Sequence, residues 1–160
     1  MDPDRGRDAK GLGLLKLQID GGAPIQLVAG RALHPIWSPD GNLVVYTGAN
    51  VSSLAPLLAI RPDGTPAELP RIQVRRDGRG SRARFLPDGS GLVYMQGFVL
   101  AQDFWLLDLT TNKTRQLTRL NDHAAMLSFD ISPDGKQILF DRARDNSDIV
   151  VIDLERRQQP

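Results

Sequence analysis

The chain has 160 residues, of which 41% are hydrophobic and 24% are charged, and this composition of a soluble globular protein excludes a disordered or fibrous class. Its net charge of +1 gives no reason to expect a nucleic-acid partner, and no apolar run approaches the roughly 18 residues that a membrane span needs. Without cysteine the chain has neither a disulfide nor a thiolate metal site, so its composition leaves the cellular compartment open.

The N-terminal segment is polar and lacks the apolar stretch of a signal peptide. We expect residues 1–13 to be disordered, or to reflect the way in which the chain was cut from a longer protein. Short apolar runs separated by turns follow over residues 14–154, and residues 155–160 form a polar tail.

These apolar runs are too short for helices and are rich in Val, Ile, Leu and aromatic residues, so they predict strands. In chain order the strands form a group of two, two groups of four and a group of three. They are 14–19 and 25–28; 34–38, 43–47, 56–61 and 67–70; 82–86, 91–96, 103–109 and 114–118; and 127–132, 137–141 and 148–154.

One turn recurs three times, at Pro39-Asp40-Gly41, Pro87-Asp88-Gly89 and Pro133-Asp134-Gly135, with prolines 48 and 46 residues apart. Proline fixes φ at the first corner, aspartate hydrogen-bonds nearby backbone, and glycine accepts the left-handed conformation. The aspartates could also be metal ligands, but the turn itself accounts for each of them. We therefore expect these nine residues to be structural.

A second repeat comprises Trp105-Leu106-Leu107-Asp108-Leu109 and Ile149-Val150-Val151-Ile152-Asp153-Leu154, whose aspartates are 45 residues apart. A repeat of this length made of short strands is typical of β-propeller blades. Continuously apolar runs indicate strands that are covered on both faces, which favours stacked blades over an immunoglobulin-like sandwich.

At these residues the sequence resembles the TolB-like, WD-like propeller repeat. The copy from Phe129 to Leu154 matches throughout, and Gln116-Leu117-Thr118 matches the element that ends a blade in that family. The resemblance implies an all-β fold of four-stranded antiparallel blades near 14–30, 31–70, 71–118 and 119–154. That is about three and a quarter blades, fewer than the four to eight of a closed ring. We expect an incomplete ring unless copies associate through the exposed faces of the terminal blades.

The resemblance implies a non-catalytic module that binds a protein, peptide or ligand as a sensory or scaffolding part of a larger bacterial protein. It leaves two alternatives, the accessory propeller of a hydrolase or lyase and a TolB-like periplasmic envelope protein. The compartment follows from that choice. It would be cytoplasmic for the C-terminal region of a kinase or regulator, and periplasmic for a TolB homologue.

No catalytic constellation is present in the sequence, so we predict no catalytic residue, no cofactor and no metal. His34 and His123 precede turns and could share one end of a channel, but they lack a third metal ligand at fixed spacing. We expect Trp37, Phe85 and Phe129, which also precede turns, to belong to the core.

The best candidate for binding is a cluster of arginines within fourteen residues, accompanied by only one acidic residue, Asp77. Propeller topology places this segment between the outer strand of one blade and the inner strand of the next, on the face where ligands usually bind. We predict an anionic ligand or an acidic peptide there, with the two histidines nearby; the alternative is a solvated loop. The cluster consists of Arg71, Arg75, Arg76, Arg79, Arg82 and Arg84.

Overall fold

A computed structural model describes residues 13–49, 53–75, 82–98, 100–120 and 123–144. In these ranges the regular elements are thirteen strands, and no helix occurs that could cross a membrane. The strands are β1 (Gly13–Lys16), β2 (Ile25–Ala29), β3 (Leu33–Trp37), β4 (Val44–Thr47), β5 (Leu54–Ile60), β6 (Pro66–Ala67), β7 (Gln73–Arg75), β8 (Ala83–Phe85), β9 (Gly91–Phe98), β10 (Ala101–Asp108), β11 (Lys113–Gln116), β12 (Phe129–Ile131) and β13 (Ile138–Phe140).

The strands form four antiparallel sheets, which follow one another along the chain. Sheet 1 is β1-β2, sheet 2 is β3-β4-β5-β6 with β7 also paired to β5, sheet 3 is β8-β9-β10-β11, and sheet 4 is β12-β13. Two complete blades therefore lie between two half-blades, and the described fold is an all-β partial propeller.

The Pro-Asp-Gly turns are closed by local hydrogen bonds. In the first copy the Ser38 hydroxyl donates to Asp40 Oδ1 at 2.5 Å and accepts the Leu43 N–H at 2.9 Å, while Gly41 has a φ of 72°. The third copy repeats the serine–aspartate bond between Ser132 and Asp134 at 2.5 Å. A side-chain oxygen thus satisfies backbone groups at the corner that the strands leave unpaired.

In the middle copy of the turn, Leu86 occupies the place of the serine. Asp88 instead accepts hydrogen bonds from the Ser90 N–H at 3.0 Å and from the Ser90 hydroxyl at 2.8 Å. The aspartate is therefore the constant acceptor of the turn, whereas its hydroxyl partner changes position.

The core consists of apolar layers between successive sheets. Val45 of sheet 2 lies in one cluster with Phe85 of sheet 3, and Val93 of sheet 3 lies in another with Phe129 of sheet 4. Both valines stand six residues after the turn proline and are at most 2% exposed. Each sheet therefore covers the inner strands of the sheet before it.

The two half-blades lack that cover on one side. Leu139 stands at the same position as Val45 and Val93 but is 78% exposed, because no sheet follows β12-β13 among the described residues. Trp37, which we expected in the core, is 50% exposed, whereas Phe85 and Phe129 are buried. Leu14 of sheet 1 shares an apolar cluster with Val44 and Tyr46 of β4 and with Ile60 of β5.

The outer strand of sheet 2 also differs from the expectation. Instead of one strand at 67–70, β6 pairs with the end of β5, and β7 pairs with its beginning. Between them Leu57 N–H donates to Ile72 C=O at 3.0 Å. Pro70, which lies between β6 and β7, lacks the N–H that a regular ladder needs. The strand expected at 148–154 lies outside the described residues.

The turn aspartates should make the stability of the protein fall in acid. Hydrogen bonds from the Ser38 hydroxyl and from Asn42 lower the pKa of Asp40 below the ordinary 3.8. The Ser132 hydroxyl and the Lys136 N–H do the same to the pKa of Asp134. Because both pKa values are lower in the folded state, the contribution is complete above about pH 5 and is lost as the pH falls through the folded pKa.

We expect Asp40→Asn/Asp134→Asn to flatten the dependence of the unfolding free energy on pH between about 5 and 2. Urea unfolding across that range measures the slope. Asp20→Asn, in the exposed connection between β1 and β2, is the control and should keep the wild-type slope. If the double variant also kept that slope, the turn aspartates would not be the source of acid sensitivity.

Candidate binding end of the sheets

The two ends of the sheets carry different connections. Since neighbouring strands are antiparallel, the β3–β4 and β5–β6 turns share one end, which we call the turn end. The β4–β5 connection and the link from β7 to β8 share the other, which we call the loop end. Tight turns occupy the turn end. Of the sequence-predicted binding residues, Arg75, Arg82, His34 and His123 belong to described segments at or near the loop end, whereas Arg71 precedes β7 along the outer strand.

The arginine cluster is divided by the structure. Arg71 is exposed, and Arg75 is half-buried as the last residue of β7. The expectation of a loop at this point is wrong for Gln73–Arg75, because these residues extend the outer strand along β5. Arg76 and Arg79 lie outside the described residues.

Arg82 is buried between two sheets, with 1% of its surface exposed. Its Nη1 donates to the Met126 carbonyl at 3.3 Å, and the Met126 N–H donates to Gln102 Oε1 at 3.3 Å. The backbone C=O and N–H of Met126, just before β12, are therefore bound by the side chain of Arg82 next to β8 and by that of Gln102 in β10. We expected Arg82 to bind a ligand, but its burial assigns it to the packing of sheet 4 on sheet 3.

The electrostatic surroundings of Arg82 are mixed. Burial lowers the pKa of its guanidinium, the charge of Asp141 raises it, and the charge of Arg75 lowers it. Arginine nevertheless stays protonated in proteins because its ordinary pKa is so high. Asp141 therefore offsets part of the cost of burying a positive charge in this layer.

Asp141 is itself fixed by hydrogen bonds. Burial raises the pKa of its carboxyl, but the Ser128 N–H at 3.0 Å, the Leu127 N–H at 2.7 Å and the Ser128 hydroxyl at 2.9 Å outweigh burial and lower that pKa. These bonds keep the carboxylate ionised at neutral pH beside the start of β12.

Arg84 is paired across the same two sheets. Its Nε lies 3.5 Å from Asp130 Oδ1, and its guanidinium carbon lies 5.8 Å from the centre of the Phe129 ring. The Asp130 side chain is 76% exposed, so water screens this pair. Such a pair contributes at most about 1 kcal/mol.

The two histidines share an unusual backbone conformation but lie in different sheets. His34 of β3 and His123 before β12 both have a φ of 53°, in the left-handed region. His34 Nδ1 lies 3.3 Å from the Thr47 hydroxyl, which donates to the Leu33 carbonyl at 3.0 Å, whereas His123 is exposed. In the described part of the chain, no three metal-ligating side chains come together.

Asp103 is an anchor that sequence reasoning missed. Its carboxylate accepts the Thr118 hydroxyl at 2.9 Å, the Leu120 N–H at 2.7 Å and Gln116 Nε2 at 3.0 Å, and Thr118 Oγ1 in turn accepts the Phe104 N–H at 2.9 Å. The Gln-Leu-Thr element that ends the blade thus binds the start of β10. The sequence did contain a signal for this contact. It is an aspartate near the start of the third strand in a blade that ends with Gln-Leu-Thr.

Exposed apolar side chains also lie at the loop end. Phe98 is 78% exposed and Leu100 is 49% exposed, on either side of the tip that joins β9 to β10. At the same end Arg75, the last residue of β7, is half-buried.

Stacked four-stranded antiparallel sheets with aromatic residues buried between them define the class, a β-propeller of which this chain forms part. Solved structures share this fold. TolB from Acinetobacter baumannii is 20% identical, with a TM-score of 0.58, over 79% of this chain and 31% of that one. An oligogalacturonate lyase in complex with manganese is 21% identical, with a TM-score of 0.58, over 81% and 35%.

A TolB candidate from Agrobacterium tumefaciens is 19% identical, with a TM-score of 0.53, over 77% of this chain and 43% of that one. The matches thus span between about a third and two fifths of the length of these structures. At this level of identity the likeness shows the fold alone. No protein-family model matches the sequence, and neither does any curated protein.

Replacing Arg82 should weaken the packing between sheets 3 and 4. In Arg82→Ala the Met126 carbonyl loses its donor and Asp141 loses a nearby positive charge. We expect the unfolding free energy to fall by roughly 2–4 kcal/mol, as is typical when one partner of a buried polar contact is removed. Urea unfolding followed by tryptophan fluorescence measures the loss.

Arg71→Ala is the control, since it removes an exposed arginine of the same cluster. It should change stability by no more than about 0.5 kcal/mol. Equal effects of the two substitutions would show that Arg82 has no special role in the packing.

Proposed function

We propose that this chain is a non-catalytic binding module, whose loop end holds an acidic segment of a partner protein. It serves as a sensory or scaffolding part of a larger bacterial protein. The observation that supports this proposal is the separation of the two ends. Local hydrogen bonds close the turn end, whereas the described residues of the loop end include the half-buried Arg75 and the exposed side chains of Phe98 and Leu100.

The charge of the loop end is local. The whole chain has a net charge of +1, yet six arginines and one aspartate stand between residues 71 and 84. Arg82 and Arg84 contact sheet 4. The residues proposed to meet a ligand are Arg71, which is exposed, and Arg76 and Arg79, which follow β7 in the sequence. Guanidinium groups bind carboxylates with paired hydrogen bonds, which suits a glutamate- or aspartate-rich peptide.

The exposed Phe98 and Leu100, at the connection from β9 to β10, set a second requirement for the chemistry of the partner. Phe98 and Leu100 would pack against an apolar side chain of the bound segment, and such contacts supply affinity that salt does not screen. His34 and His123 belong to the same end in the proposal, as polar contacts beside the arginines. The partner is therefore an acidic peptide interrupted by a large apolar residue.

Binding of fluorescein-labelled oligoglutamate, followed by fluorescence anisotropy, tests the electrostatic part. Arg71→Ser/Arg76→Ser/Arg79→Ser should weaken binding roughly tenfold at low salt, with a smaller difference at high salt. Arg82 is left in place so that the packing of the sheets is retained.

The charge-matched control is Lys113→Ser/Arg115→Ser/Lys136→Ser. It removes three positive charges that are exposed away from the loop end. This variant should bind oligoglutamate as the wild type does. Unchanged affinity of the arginine variant, or equal weakening in both variants, would overturn the proposal of a localised site.

Two other roles suit the same fold. The chain could accompany the catalytic domain of a hydrolase or lyase, or it could serve the cell envelope as a TolB-like protein. A catalytic domain on the same polypeptide would favour the first role, and a periplasmic leader would favour the second. A kinase or DNA-binding domain would favour the sensory role.

A further inference from the structure

Asp-Gly pairs stand in five turns of the described residues. In each of them the glycine N–H donates to the carbonyl three residues before it, at 2.8–3.0 Å, and the glycine has a φ between 71° and 98°. The five turns therefore share one backbone arrangement. The pairs are Asp20-Gly21, Asp40-Gly41, Asp63-Gly64, Asp88-Gly89 and Asp134-Gly135, while Asp77-Gly78 lies outside the described residues.

The side chains of four of these aspartates are held in the same way. A serine or threonine hydroxyl, two residues before or after the aspartate, donates to the carboxylate at 2.5–2.8 Å. The backbone N–H two residues after the aspartate donates to the same oxygen. The hydroxyl and carboxylate pairs are Ser38–Asp40, Thr65–Asp63, Ser90–Asp88 and Ser132–Asp134.

Asp20 differs from these four in its side-chain contacts. The residues two before and two after it are Gln18 and Gly22, and neither has a hydroxyl. Among the described residues, none donates a hydrogen bond to the Asp20 carboxylate. Asp20 and Gly21 are both exposed, and a Cβ on Gly21 would meet no atom within 4 Å. The carboxyl group is therefore free to turn toward the Gly21 nitrogen.

We propose that Asp20 is a site of spontaneous main-chain modification, where aspartate isomerises to isoaspartate. The Gly21 nitrogen bonds to the side-chain carboxyl carbon of Asp20, and the carboxyl hydroxyl leaves with the proton of that nitrogen as water. A second water molecule then opens the five-membered imide. When it breaks the bond between the Gly21 nitrogen and the main-chain carbonyl carbon of Asp20, the product is isoaspartate. When it breaks the new bond, aspartate is restored.

The hydrogen bonds of the other four turns oppose this reaction in two ways. The carboxylate must give up these bonds before it can approach the glycine nitrogen. They also lower the pKa of Asp63 through the N–H and the hydroxyl of Thr65, and the pKa of Asp88 through the same groups of Ser90. A smaller fraction of these side chains then carries the proton with which the hydroxyl leaves. Hydrogen bonds to a charged group are strong enough to slow such a step roughly tenfold.

Asp40 provides the most direct comparison with Asp20. A Cβ on Gly41, like one on Gly21, would meet no atom within 4 Å. Open space beside the glycine is therefore common to both turns, and the hydrogen bonds to the carboxylate distinguish them. In the third Pro-Asp-Gly turn packing adds to the restraint, because a Cβ on Gly135 would lie 3.3 Å from the Pro87 ring.

The modification would alter the connection between β1 and β2. Isoaspartate lengthens the main chain by one methylene and leaves the α-carboxylate as a side group, so the net charge is unchanged. The bond from Gly21 N–H to the Gln18 carbonyl, 3.0 Å long, spans this point. The turn between the two strands therefore changes shape, whereas the arginine cluster and the connection from β9 to β10 are not involved.

Incubation of the folded protein in water enriched in heavy oxygen measures each passage through the imide, because the water that opens the ring leaves its oxygen in the product. Tryptic cleavage after Arg31, in ordinary water, separates Asp20 from Asp40 for mass spectrometry. The Asp20 peptide should gain label roughly tenfold faster than the Asp40 peptide, and part of it should elute separately as isoaspartate. In urea, where the hydrogen bonds are lost, both peptides should gain label at similar rates.

Two substitutions of the exposed Gln18 test the cause of the difference. Gln18→Ser places a hydroxyl before Asp20 where Ser38 stands before Asp40, and it should slow the labelling of Asp20 several-fold. Gln18→Ala removes the same amide without supplying a hydroxyl, and it should label as the wild type does. Equal rates at Asp20 and Asp40 in the folded protein would overturn the proposal. So would a lead of Asp20 that persists in urea, or equal labelling of the two Gln18 variants.

Discussion

The packing of each sheet against the inner strands of the sheet before it is the constraint on which the rest of the structure depends. Val45 and Val93 are almost completely buried, in apolar clusters that include Phe85 and Phe129 of the following sheets. A four-stranded sheet of this size cannot bury both faces alone, so its stability comes largely from its neighbours. The same dependence explains two exposed residues. Leu139, which has the position of Val45 and Val93 after the turn proline, and Trp37, which has the position of Phe85 before it, lack such a neighbouring sheet among the described residues.

Polar contacts fix the geometry that this apolar packing requires. Some act within one sheet, as where Asp40 closes its turn and Asp103 holds the end of the outer strand. Arg82 and Gln102 act between sheets, because they bind the two backbone groups of Met126. Apolar layers tolerate sliding, whereas hydrogen bonds to a defined peptide group set one register. The layers therefore supply most of the stability, and the polar contacts determine how the sheets align.

Local chemistry made much of the fold predictable from the sequence. The Pro-Asp-Gly spacing and the short apolar runs predicted an all-β fold of propeller blades, as the structure and its solved neighbours show. The sequence could not show that Arg82 is buried. An arginine in a charged cluster is expected at the surface, and its buried partner, the Met126 carbonyl, is known only from the structure. It likewise could not show that Trp37 is exposed, since that depends on which strands precede it. Residues Gln73–Arg75 were missed as a strand because Pro70 interrupts the outer strand before them.

The difference between the two ends explains why the sequence predicts the fold better than it predicts the function. Residues at the turn end interact with positions two to five residues away, so their role follows from local sequence. At the loop end, Arg82 reaches a backbone group 44 residues away, and Arg84 approaches Asp130 in another sheet. Charge density alone cannot separate arginines that join sheets from those that face solvent. Burial makes that separation for the described arginines, since Arg82 is buried and Arg71 is exposed.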